Sequence, residues 1–146
     1  MIKQHFEITI NASPEKVWNI LIGEETYPEW AAVFCEGSTV ETDWKKGSRA
    51  IFGDGKGSGM VSEIEEVVPN KFLSIKHLGE IKDGVEDTIS DQVKSWSGAH
   101  ENYTLTPVDG GTNWEVTMDT VEDFKDWMLE VWPKALAKVK EMAEAS

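Results

Sequence analysis

The chain has 146 residues, a hydrophobic fraction of 40% and 7 tryptophans, enough for one packed domain over 1–146 and too apolar for a disordered chain. A net charge of −13 at pH 7 argues against a nucleic-acid partner, and no run approaches the ~20 apolar residues of a membrane span. The single Cys35 excludes an internal disulfide, and the start lacks a signal-like apolar run, so a cytoplasmic setting is expected.

Residues 2–10 alternate, with Gln4, Phe6, Ile8 and Ile10 on one side and Lys3, His5, Glu7 and Thr9 on the other, which predicts a half-buried strand. Ser13 and Pro14 then supply an N-cap and a first helical residue. Val17 with Leu21 and Trp18 with Ile22 predict a short helix ending near Gly23, and 26–34 predicts a second, with Tyr27, Trp30, Ala31 and Phe34 on one side. Beyond Cys35 the period changes to two. Strands are predicted over 37–43, 48–53, 59–68, 71–78, 99–107 and 113–120, separated by turn residues such as Lys46-Gly47, Pro69-Asn70 and Asp109-Gly110-Gly111. Short connections make hairpins, so the sheet should be antiparallel. Residues 79–98 are polar and too long for a tight turn, with Val85, Ile89, Val93 and Trp96 near helical spacing; they predict a mobile loop holding one helical turn. Over 121–145, apolar residues from Val121 and Phe124 to Val139 and Met142 form the stripe of a long amphipathic helix, with Thr120 and Asp123 as its capping pair. Pro133 either kinks that helix or begins a second helical segment. The expected architecture is α+β: a seven-stranded antiparallel sheet wrapped around a long C-terminal helix, with two short helices after the first strand.

Several segments, taken in order, resemble a known pattern. They are Ile10-Asn-Ala-Ser-Pro-Glu-Lys-Val-Trp18, Trp30, Asp43-Trp-Lys-Lys-Gly-Ser-Arg-Ala-Ile-Phe52, Glu63-Ile-Glu-Glu-Val-Val-Pro-Asn-Lys-Phe-Leu73, Thr104-Leu-Thr-Pro-Val-Asp-Gly-Gly-Thr112 and Trp132-Pro-Lys-Ala-Leu-Ala-Lys-Val-Lys140. The succession resembles the START-like, or SRPBCC, superfamily with its helix-grip fold. It is most similar to the bacterial branch of heat-shock-protein ATPase activator homologues. Two features depart: Ser48 follows Gly47 where the family usually has a Gly pair, and 79–98 is longer and more acidic. The resemblance implies a cavity between the sheet and the long helix that takes apolar small molecules. It does not imply one reaction, because lipid carriers, hormone receptors and polyketide cyclases share the shape.

Period two assigns the strand faces. Trp114, Val116 and Met118 share a side, as do Glu101, Tyr103 and Leu105, then Leu73, Ile75 and His77, and Ala50 with Phe52. Over 59–64 neither face is favoured. From the long helix, Phe124, Trp127, Met128, Val131 and Trp132 are expected to look inward, and Trp30 joins them as a ligand-binding residue. The alternative is that the same rings fill a closed core. His77 and Glu101 are the candidates for acid–base chemistry, and Tyr103 for donating to a ligand carbonyl. Their plainer alternatives are a core histidine bonded to backbone and a glutamate at a strand start reaching solvent. Cys35 lacks an activating context and is expected to be packed. No His/Cys spacing suggests zinc and no Gly-rich loop opens a helix, so neither a metal nor a cofactor is expected.

Three functions remain open. One is a non-catalytic module holding a lipid-like or polyketide-like molecule. Another is a cyclase- or hydratase-like enzyme using His77 with Glu101. The third is a protein-interaction module for a chaperone partner. The expected state is a monomer or weak dimer, without membrane insertion.

Overall fold

The structure is a computed structural model and describes residues 1–145. It opens with strand β1 (Ile2–Ile10), then helices α1 (Pro14–Ile22) and α2 (Tyr27–Ala31). Strands β2 (Thr39–Glu41), β3 (Arg49–Gly53), β4 (Gly59–Val68), β5 (Phe72–Lys82) and β6 (Val85–Asp87) follow. Helix α3 (Asp91–Lys94), strands β7 (Ala99–Val108) and β8 (Gly111–Thr120) and helix α4 (Glu122–Glu144) complete the chain. All pairings are antiparallel, in the order β1-β8-β7-β5-β4-β3-β2, with β6 added beside β5.

Local chemistry sets most boundaries. The Ser13 hydroxyl accepts from the Lys16 N–H at 3.2 Å, and Pro14 supplies the fixed φ of a first helical residue. Asp54 Oδ1 accepts from the N–H groups of Lys56 (2.7 Å) and Ser58 (3.2 Å), which folds the turn between β3 and β4. The sheet has eight strands rather than seven because 79–98 is not a simple loop. There β5 continues to Lys82, Asp83 (φ 51°) and Gly84 (φ 80°) take the two left-handed positions of a hairpin turn, and β6 returns. Ser90 then caps α3 by accepting from the Val93 N–H at 3.2 Å.

Helix α4 is one element that runs through Pro133, so that residue does not start a second segment. Its N-cap is Val121, with no capping side chain; the expected capping residue, Thr120, is instead the buried last residue of β8. β1 holds the helix at both ends. Gln4 Nε2 donates to the Lys125 carbonyl at 3.2 Å, Lys140 Nζ to the Thr9 carbonyl at 3.1 Å, and the Asn11 N–H to Glu144 at 2.8 Å. Between helix and sheet, Trp30, Trp114 and Trp132 form an aromatic centre, joined by Tyr103 and Phe34. Each such side chain contributes roughly 1.5–3 kcal/mol by burial, and each ring pair about 0.5–1.5 kcal/mol beyond it. Among the described residues, no helix is long and apolar enough to cross a membrane.

Candidate functional site

The faces assigned by alternation bring four polar side chains into one row. Ser62 on β4 lies directly opposite His77 on β5, and a register shift between Val61 and Ser62 adjoins the pair. His77 pairs with Ala99 on β7, which makes Glu101, two residues further on, its diagonal neighbour on the same face. Tyr103 follows Glu101 by the strand period. Ser62 Oγ lies 2.7 Å from His77 Nδ1, and His77 Nε2 lies 3.1 Å from Glu101 Oε1. The Tyr103 hydroxyl donates to the other oxygen of Glu101. His77 is thus bonded through its ring to side chains, and its exposure (13%) and that of Glu101 (19%) place both largely out of water.

The row has definite chemistry. The Ser62 hydroxyl can donate to Nδ1, which leaves Nε2–H to donate to the Glu101 carboxylate. The same surroundings keep the neighbouring phenols protonated. Burial first, and then the charge of Glu101, push Tyr27 up. Burial, the charge of Glu101 and its hydrogen bond raise Tyr103 well above the usual phenol range.

Two lobes of open space meet at His77 and Glu101. Gly59, Met60, His77, Glu101 and Met128 border both. The first lobe, about 370 Å³, lies under α2 with walls of Tyr27, Trp30, Phe34, Phe52 and Trp132. The second, about 350 Å³, lies under the start of α4 with walls of Trp96, Met118, Phe124 and Trp127. Each falls in the range of small-molecule sites.

The expected residues divide accordingly. Trp30, Phe52, His77, Tyr103, Met128 and Trp132 border the first lobe. Met118, Phe124 and Trp127 border the second, and Phe124 (55%) and Trp127 (42%) keep much of their surface in solvent. Leu73, Ile75, Leu105, Trp114 and Val116 belong to the packed core, and Val131 is buried; none of these six borders a lobe. Cys35 is exposed at the edge of the first lobe, not packed. Helix α2 stops at Ala31, and Phe34 takes the inward position instead. The expected ligand-binding set lacks Tyr27, Phe34, Met60 and Trp96, which border a lobe, and Ser62, which holds His77. The helical face of Tyr27 and Phe34 was readable; Met60 and Ser62 lie in the strand of undecided face, and Trp96 in the stretch read as loop. On the opposite face of the sheet, His5, Glu7 and Glu115 bring one ligand atom each within 4.8 Å, far from the cavity and open to water.

Comparison with known proteins fits this architecture. No curated protein matches the chain. Among solved structures, protein MLL2253 from Mesorhizobium loti superposes with a TM-score of 0.78 at 19% identity, over 99% of this chain and 98% of that one. The solution structure of the Aha1 dimer from Colwellia psychrerythraea gives 0.73 at 22% identity, over 99% and 97%. DynU16, from the dynemicin biosynthetic locus, gives 0.72 at 14% identity, over 97% of this chain and 47% of that one. These likenesses carry the fold, an antiparallel sheet gripping a long C-terminal helix. The family described as activator of Hsp90 ATPase homolog 1-like protein matches residues 11–144, and the chain belongs to it.

Proposed function

We propose that the chain binds a small amphipathic molecule, lipid-like or polyketide-like, in the two-lobed cavity, with its apolar parts in the lobes and its polar group on His77, Glu101 and Tyr103, while the buried Ser62 holds the His77 ring from behind. The observation that carries this reading is the position of His77 and Glu101, hydrogen-bonded to each other where the two lobes meet. Rings and methionines flank this pair on both sides, and the other carboxylates of the lining, Asp54, Glu80 and Asp119, are held by their own turn or by lysines. Walls of that kind bind apolar bodies with little selectivity, while a few placed polar groups fix orientation. The test is titration with the neutral dye Nile red. Saturable, blue-shifted emission at one dye per chain is expected, and it should be lost in the double variant Met60→Trp/Met128→Trp, which fills the space where the lobes meet. A folded wild-type protein that never brightens the dye would sink the reading.

A second reading rests on the 3.1 Å contact between His77 and Glu101. A paired imidazole and carboxylate beside a cavity can take a proton from a bound carbonyl compound and return it elsewhere, as a cyclase-like step requires. Exchange of the α-protons of a β-keto ester with heavy water, faster with wild type than with His77→Gln, is the expected signature. Equal rates would leave binding alone. The family name also raises contact with a chaperone ATPase. The cavity-filling double variant separates that role from ligand binding, because a contact made by the outer surface survives it.

A further inference from the structure

The charges around the cavity select the sign of its occupant. Among the residues bordering the two lobes there is no lysine or arginine. The carboxylates there are Asp54 and Glu101 in the first lobe, and Glu80, Glu101 and Asp119 in the second. Three of the four are already engaged. Asp54 accepts the backbone N–H groups of its own turn, Glu80 faces Lys82 at 3.7 Å, and Asp119 holds Lys3 at 2.6 Å. Glu101 differs. Its hydrogen-bond partners are His77 and Tyr103, neither of them a fixed cation, and it stands where the lobes meet. The rings of Tyr27, Phe52 and Tyr103 border the same lobe.

We propose that the occupant carries a cationic head, a primary or secondary ammonium on an apolar or aromatic body, with its N–H groups on Glu101 and its charge against these rings. The proposal rests on the small-molecule reading above and adds the sign of the head group. A carboxylate retains unused lone pairs after accepting two bonds, so Glu101 can accept a third without releasing His77 or Tyr103. An ammonium entering a half-dry cavity needs a partner charge, which Glu101 supplies, and ring faces add cation–π attraction. A fatty or aromatic acid meets the opposite situation: its charge would lie beside a like charge with no lysine or arginine to offset it. The net charge of −13 works in the same direction at long range, by enriching cations near the surface.

The experiment is calorimetric titration of the whole protein with three probes of one size, naphthylethylamine, naphthylethanol and naphthylacetate. The amine is expected to bind about tenfold more tightly than the alcohol, equivalent to about 1.4 kcal/mol, with the acetate weakest. In Glu101→Gln the gap between amine and alcohol should close while the alcohol still binds. An alcohol or acetate that matches or exceeds the amine on wild type overturns the proposal and leaves the cavity reading intact. So does a gap that persists in folded Glu101→Gln. Absence of binding by all three overturns the cavity reading, and the proposal with it.

Discussion

Trp132 stands where core and cavity share one side chain, and replacing it with alanine measures both. The ring is 2% exposed and packs against Phe34 (centroids 4.9 Å apart), Tyr103 (6.1 Å), Phe6 (6.2 Å), Trp30 (6.3 Å) and Trp114 (6.3 Å). Removing a large buried aromatic costs roughly 3–5 kcal/mol in transfer and cavity terms. One contribution runs the other way. Trp132 Nε1 is buried without a hydrogen-bond partner among the described residues, and its removal relieves about 1–3 kcal/mol of desolvation. The net loss should therefore be about 2 kcal/mol, which for a domain of this size lowers the melting point by about 4–8 °C. Urea denaturation followed by circular dichroism checks it, as a lower midpoint at unchanged slope. Because the vacated volume opens into the first lobe, the same variant should still bind Nile red. A loss below about 1 kcal/mol would refute the packing around Trp132, and loss of dye binding in the folded variant would refute its place as a wall.

Alkaline titration tests the row from another side. Tyr27 and Tyr103 are the only 2 tyrosines in the chain, and both have raised pKa values, from burial first and the Glu101 charge second. A raised phenol pKa contributes stability that is fully present below the unfolded value of about 10 and is lost as pH climbs towards the folded one, because the unfolded chain gives up its protons first. Ultraviolet spectra should show no tyrosinate while the fold persists, then both phenolates appearing together as it opens. A phenol half-ionised near pH 10 in a native-like protein would contradict this. Gly59→Ala tests the wall beside Met60. Its Cβ would lie 2.1 Å from the Phe52 carbonyl oxygen and 2.7 Å from the Gly53 Cα, both backbone atoms. The expected cost is about 1–3 kcal/mol, or more if β3 and β4 separate, and a melting point equal to wild type would show that this strand pair is wrongly placed.

Periodicity carried the sequence reading a long way. Alternation placed His77, Glu101 and Tyr103 on the face that the structure turns inward, because a strand offers its side chains only two directions. Steps of three and four found α4, and Ser13 with Pro14 found the start of α1. The failures have local causes. In β4 both faces carry mixed residues, and two register shifts interrupt the strand, so Ser62 could not be assigned before its pairing with His77 was seen. Asp83-Gly84 is a strong hairpin signal, but the acidic residues around it disguised β6 as loop.

Sequence alone determined most of the elements, their order and the inward faces of β5, β7 and β8, since these follow from backbone geometry over a few residues. Tertiary structure decided the rest. Whether His77 meets Glu101 depends on the stagger of β5 against β7, a relation between segments 24 residues apart that neither segment encodes by itself. Whether rings close a core or wall a cavity depends on where α4 sits above the sheet. Trp114 and Trp132 are the same residue type at similar burial, and only the space beside Trp132 makes it a wall. Burial patterns say that a side chain leaves water; the packing of distant segments says what it meets there.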